Sequence, residues 1–202
     1  MATTENKVQF NLKNMHYAVM TAGGNTPTWD TPVPVPGAVS LALEQQGELN
    51  KFYADGIVYY QSSNNGGYEG DAEFARIIDK MLQDIWGYIL STTEKVLIED
   101  AFAEPKSFAL LFQIDGDQHN ALYCLYNCTA TRPGINSKTN EESKEPQPQK
   151  IKISAAPLEN GRVFARTTAE TTENTITKWF TKVFEPAPAA QRGRKLWKKS
   201  SK

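Results

Sequence analysis

Two cysteines and two histidines are the side chains of this sequence best equipped for chemistry. Cys124 and Cys128 lie four residues apart, and the histidines are His16 and His119. Two thiolates and two imidazoles could make a tetrahedral zinc site. Zinc fingers hold these ligands at short, regular spacings, however, and positions 16, 119, 124 and 128 match none of them. A disulfide meets a different obstacle. The segment HNALYCLYNCTAT reads as strand, on which residues four apart share a face but stand roughly 13 Å apart along it. That is beyond the span of an S–S bridge, so both thiols are expected to be buried and reduced.

Carboxylates offer little more. Glu99-Asp100 is an acidic pair, but adjacent residues on a strand face opposite ways. Asp115-Gly116-Asp117 has too few acidic ligands for a calcium loop and reads as a turn. The nucleophile motif G-x-S-x-G and the glycine patterns of phosphate- and dinucleotide-binding loops are absent. Gly23-Gly24 and Gly66-Gly67 lack the strand–glycine–helix context that phosphate binding needs. The expectation is a protein that is not an enzyme, with no cofactor and no metal.

With 202 residues, 40% of them hydrophobic and 22% charged, the chain reads as one domain able to bury a sizeable core. No apolar run is long enough to cross a bilayer, and no membrane association is expected. MATTENKVQF has no basic segment followed by an apolar core, so export by the general route is not expected. The net charge of −1 is unevenly spread. Six of the 22 basic residues fall between Arg192 and Lys202, which leaves 16 basic against 23 acidic residues elsewhere. An acidic body argues against a domain that grips DNA.

These residues must be positioned by an architecture whose centre is Glu48 to Tyr88. Leu49–Ala54 and Ile57–Tyr60 read as strands joined at Asp55-Gly56, a signature of tight hairpin turns that need positive φ. A Gly/Asn-rich link, 62–70, should follow. Asp71 then reads as the cap of a helix over about residues 71–86, with Gly87 as its stop. Phe74, Ile77, Ile78, Met81, Leu82 and Ile85 would form its apolar stripe, to be laid on a sheet.

Around this centre, residues 1–7 read as a polar arm. Val8–Phe10 and His16–Met20 read as short strands, and 21–37 (TAGGNTPTWDTPVPVPG) as a long surface loop around Trp29. Strands are expected at 38–44, 95–99, 107–114, 119–131, 150–155 and 162–168, with hairpin turns at Asp115-Gly116-Asp117 and Asn160-Gly161. Residues 132–149 read as a long polar mobile loop. Residues 175–184 could be strand or short helix, and Pro186 and Pro188 close the domain at about residue 186 before a flexible basic arm, 187–202. Seven or more short strands and one strong helix imply a mainly β fold, an antiparallel sandwich or barrel with one flanking helix.

The block ELNKFYADGIVYYQSSNNGGYEGDAEFARIIDKMLQDIWGY, the opening NKVQFNLKNMHYAVMT, the segment PVPGAVSLAL and the late RVFARTTAETTENTITKWFTKVF together resemble a known family. It is the major tail protein (tail tube protein) of long-tailed bacteriophages, or siphoviruses, of Gram-positive hosts, the phi13-like group. The likeness spans roughly residues 5–185; QRGRKLWKKSSK does not match it. It implies a virion protein, assembled in the host cytoplasm, that forms hexameric rings stacked into a tube for DNA ejection. The implied partners are further copies of itself, a tape-measure protein, and tail terminator and initiation proteins, with DNA only as passing cargo. Lateral contacts would close a ring and stacking contacts would repeat openly. An acidic body would suit a channel through which DNA slides without sticking.

Under this resemblance the candidate inter-subunit contacts are Trp29, Pro34 and Val35 on the first loop and Tyr59, Tyr60 and Tyr68 in the central block. A competing reading uses Trp29 and the same tyrosines in a β-sandwich binding module for a host-surface glycan or protein. At the basic end, Arg192, Arg194, Lys195, Lys198 and Lys199 could contact nucleic acid or a partner, with Trp197 stacking on a base. A solubilising tail accounts for the same residues.

Overall fold

The apolar run FALLFQ forces the centre of this fold. A strand with no polar alternation must be covered on both faces, and β10 (Phe108–Gly116) is buried on both. The computed structural model describes residues 5–139 and 145–186, and the chain is mainly β with two helices. In order the elements are β1 (Gln9–Ala22), β2 (Thr28–Trp29), β3 (Val33–Pro34), β4 (Ala38–Gln46), β5 (Leu49–Ala54), β6 (Ile57–Ser63), β7 (Gly67–Phe74), α1 (Asp79–Trp86), β8 (Ile89–Leu90), β9 (Leu97–Ile98), β10, β11 (Ala121–Ala130), β12 (Gln149–Ala155), β13 (Phe164–Arg166) and α2 (Glu173–Lys178). One antiparallel sheet runs β2-β1-β10-β11-β12-β7-β4, with β3 on β1 and β13 on β11.

Two apolar layers sandwich its centre. On one face Tyr17, Phe108, Leu110 and Phe112 meet Met81, Ile85 and Trp86 of α1. On the other, Ala18, Ala109, Leu111, Leu122 and Tyr126 are covered by Leu158 and by Trp179 and Val183 of the C-terminal segment. Successive residues of β1 and β10 alternate between the layers, as the period of two requires. The flanking helix and mainly β class therefore stand as the sequence implies, and a second short helix, α2, begins two residues before the stretch 175–184 that read as strand or helix and ends inside it.

Several local expectations are corrected. The helix begins eight residues later than Asp71, after Ile78. Residues 67–74 instead form β7, paired with β12 and β4. Glu69, Asp71 and Glu73 alternate with Gly70, Ala72 and Phe74, a period of two that the helical spacing of Phe74 and Ile77 hides. Lys150 pairs with Asp71 at 3.0 Å, and Lys152 pairs with Glu69. Gly70 is required there, because a Cβ would stand 1.9 Å from the Ala42 carbonyl oxygen. Within α1 the helical reading holds: Met81 and Ile85 are buried and Gly87 stops the helix at φ 71°, while Ile77 is buried just ahead of it.

β1 is one strand of 14 residues rather than two short ones, bent by pairing irregularities that include Asn14 at φ 49°. The 21–37 loop is tied to it by β2 and β3, with Pro34 opposite His16. Residues 95–99 contribute only the two-residue β9, which pairs with β8. β12 and β13, on either side of Asn160-Gly161, both pair with β11 rather than with each other. The start of the chain is not wholly free: Asn6 bonds the turn at Gln118 and His119, and the Lys7 N–H donates to Asp117 at 2.8 Å. In the 132–149 loop Lys138 and Gln147 bond each other on either side of the undescribed stretch. Residues 1–4 of the expected arm, 140–144 of that loop and the basic arm from 187 lie outside the described residues.

Cys124 and Cys128 are free and buried, but they do not share a face. Cys124 lies in the layer under the C-terminal segment and Cys128 in the layer under α1. A pairing irregularity between Leu125 and Cys128 adds a residue to β11 and reverses the alternation.

Candidate functional site

β4 and β7 pair from Ala38↔Phe74 to Gln46↔Gly67 and then continue outward as β5 and β6. The junction is bonded: the Gly66 N–H donates to the Gln46 carbonyl at 2.6 Å, and the Glu48 N–H to the Asn64 side chain at 2.6 Å. Beyond it the two strands form a sheet of their own. Asp55 and Gly56 close it with φ of 52° and 77°, the paired positive φ of a type I′ turn. With six residues in β5, the hairpin reaches roughly 20 Å past its base.

Its side chains are unusual for an exposed hairpin. Phe52 stands opposite Tyr60, and Ala54 opposite Ile57, on one face. Tyr53 stands opposite Val58, with Leu49 further along, on the other. Tyr59 is the extra residue at the pairing shift between them. All seven large apolar side chains are exposed, at 42% to 68% of their surface. Neither face rests on the rest of the chain: β5 and β6 make substantial contact only with each other. Monomeric soluble proteins seldom show apolar patches beyond a few hundred Å², and an isolated two-stranded hairpin is marginal in water.

The candidate contact residues therefore fall in different places. Tyr59 and Tyr60 are exposed on this hairpin. Tyr68 is half-buried at its base, edge-on to Phe164 with ring centroids 5.7 Å apart. Trp29 folds back on its own domain: its indole N–H donates to the Tyr126 carbonyl at 3.1 Å, and its ring lies 5.8 Å from that of Tyr126. Val35 is buried in the core, its N–H bonded to the Met15 carbonyl, whereas Pro34 is exposed. Val35 therefore packs its own core in this chain rather than presenting a surface, because its alternation along the strand edge points it inward. Arg192, Arg194, Lys195, Trp197, Lys198 and Lys199 lie outside the described residues. Phe52, Tyr53, Ile57 and Val58 were missed as contact candidates. Their signal was in the sequence: a short strand pair with large apolar residues on both faces has no polar face for solvent.

At the hairpin's base the outer face of β4, β7 and β12 is charged. Glu44, Glu69, Asp71 and Lys152 line an open groove of about 480 Å³. Elsewhere, His16 stacks on Phe180 at 4.6 Å, and its Nδ1 lies 2.9 Å from the Asn14 carbonyl. Among the described residues no three His, Cys, Asp or Glu side chains gather to hold a metal ion. No described helix is long and apolar enough to cross a membrane.

No protein-family model matches this chain, and no curated protein matches it. Among solved structures it is similar to the tube-terminating cap of an anti-feeding prophage, at 13% identity and a TM-score of 0.36, covering 83% of this chain and 98% of that one.

Proposed function

We propose that this chain is a structural subunit of a phage tail tube, assembling with copies of itself into stacked hexameric rings. One observation carries the reading: the β5–β6 hairpin is apolar on both faces and is covered on neither by its own chain. A single flat partner would hide only one face. Covering both calls for insertion between neighbours, which a repeating assembly provides. In this reading the protein works in the virion, performs no catalysis and holds no cofactor. Its partners are other copies, a tape-measure protein and terminator or initiation proteins, and DNA passes through the lumen. The glycan-binding alternative has less support. Trp29 spends its N–H inside the domain, Tyr68 packs on Phe164, and Tyr59 and Tyr60 stand on a projecting hairpin rather than in a cleft.

The test is negative-stain electron microscopy of the concentrated full-length chain beside light scattering, alone and with purified tail proteins. Rings or tubes with a central hole are expected. A strict monomer under both conditions would overturn the proposal.

A further inference from the structure

The turn between β10 and β11, residues 117–120, grips a side chain from near the start of the chain. Asn6 places its carboxamide there. Its Oδ1 accepts the Gln118 N–H at 3.0 Å and the His119 N–H at 2.9 Å, and its Nδ2 donates to the His119 carbonyl at 2.7 Å. The strand end leaves room for this group, since a Cβ on Gly116 would collide with the Asn6 amide. The residues after Asn6 are held through their backbone. The Lys7 N–H donates to the Asp117 carboxylate at 2.8 Å, and the Val8 N–H lies 3.5 Å from the same oxygen. Ahead of Asn6, Glu5 lines a cavity of about 160 Å³ together with His119, Arg166 and Thr168.

Hydrogen bonds hold this segment, and burial does not. Glu5 and Lys7 are exposed, Val8 is half exposed, and neither apolar layer includes a residue before Leu12. Each such bond is only a modest net gain over water, so the segment can open while the sheet stays folded. An open turn presents two N–H donors, a carbonyl and a carboxylate. That set is complementary to one ligand chemistry, an extended peptide with an asparagine and free N–H groups on the next two residues. An aspartate in its place would lose the donor and set an oxygen against the His119 carbonyl. A proline directly after it would remove the N–H that Asp117 accepts.

We propose that the 117–120 turn is a recognition site for an extended, asparagine-bearing peptide, and that residues 5–8 occupy it in cis as an autoinhibitory ligand. A tethered segment of this kind acts at an effective concentration in the millimolar range. A peptide in trans therefore gains the turn only when the Asn6 contact is released. The proposal goes beyond the tube reading and does not depend on it, because it involves neither the β5–β6 hairpin nor self-assembly.

The test uses the full-length, isotope-labelled chain, unmodified and as Asn6→Ala, with the end-blocked peptide ENKVQ, the sequence of residues 5–9. Asn6→Asp, which keeps the side-chain shape, serves as a second variant and should behave as Asn6→Ala does. Circular dichroism should match across the three chains, since Asn6 belongs to neither apolar layer. Amide exchange at Gln118 and His119 should be about tenfold faster in both variants, with no change at Leu110 and Phe112 in the core. Added to millimolar concentration, the peptide should shift the Gln118 and His119 amide resonances saturably in the variants. The unmodified chain should respond about tenfold less, because its own Asn6 competes. Peptides with alanine or aspartate in place of the asparagine should cause no shift. Unchanged exchange at Gln118 and His119 in the variants would overturn the proposal. So would the absence of any shift with ENKVQ, or equal shifts with all three peptides.

Discussion

Trp29, Trp86 and Trp179 each donate the indole N–H to a carbonyl of one strand, β11, at Tyr126, Ala130 and Tyr123 respectively. A buried tryptophan needs a partner for that donor, and an unmade bond costs about 1–3 kcal/mol. The three rings therefore fasten the first loop, the helix and the C-terminal segment to the same strand. Burial also governs the titrating groups nearby. It pushes the Cys124 thiol up to about 12, and it raises Cys128 and Tyr126, with Cys124 adding to both effects. Tyr17 is raised by burial and then by its 2.7 Å hydrogen bond to Asp84. The unfolded chain would release these protons near the ordinary values of 9.0 for thiols and 10.0 for phenols. Because the folded values lie above the unfolded ones, their stabilisation is whole at about pH 8 and below and is lost as pH rises past the unfolded values toward the folded ones. The urea midpoint should therefore fall between about pH 8 and pH 10.5. A midpoint that does not move would mean these groups meet water.

Among the elements, the β5–β6 hairpin contributes little to its own domain. None of its side chains belongs to either buried layer. Replacing residues 50–62 by a short Gly-Ser link should shift the melting temperature by no more than about 2–4 °C, while abolishing assembly in the light-scattering assay. A large loss of stability would mean that the hairpin supports the core after all. β7 teaches the converse lesson. Its residues looked like the first turns of a helix because Phe74, Ile77 and Ile78 continue a helical stripe. The strand won because Lys150 and Lys152 on β12 offer partners to its alternating acids, and because Gly67 and Gly70 let neighbouring backbones close in. The Asp55-Gly56 turn and the Gly87 stop were legible because each depends on backbone conformation within a few residues.

At the scale of the molecule, a hairpin that is apolar on both faces sets the character of any assembly. Contacts made by Phe, Tyr, Ile and Leu do not depend on charge attraction. Assembly should therefore persist at about 1 M NaCl, where the screening length is only about 3 Å. Scattering that collapses between low salt and that concentration would instead place the joining force in charged groups, such as those on the outer face of β4, β7 and β12.

By itself the sequence determined the mainly β class, the hairpin turn at Asp55-Gly56, the pairing of the strands on either side of Asp115-Gly116-Asp117, and the apolar helix face of Met81, Leu82 and Ile85, though the second turn falls at 117–120 because Asp115 and Gly116 extend β10. Each follows from side-chain period or from turn chemistry, which are local. Only the tertiary structure decided where α1 begins, that Cys124 and Cys128 face opposite layers, and that Trp29 and Val35 turn inward. Those outcomes depend on register between strands far apart in the chain, and a single added residue in β11 is enough to reverse which side a residue faces.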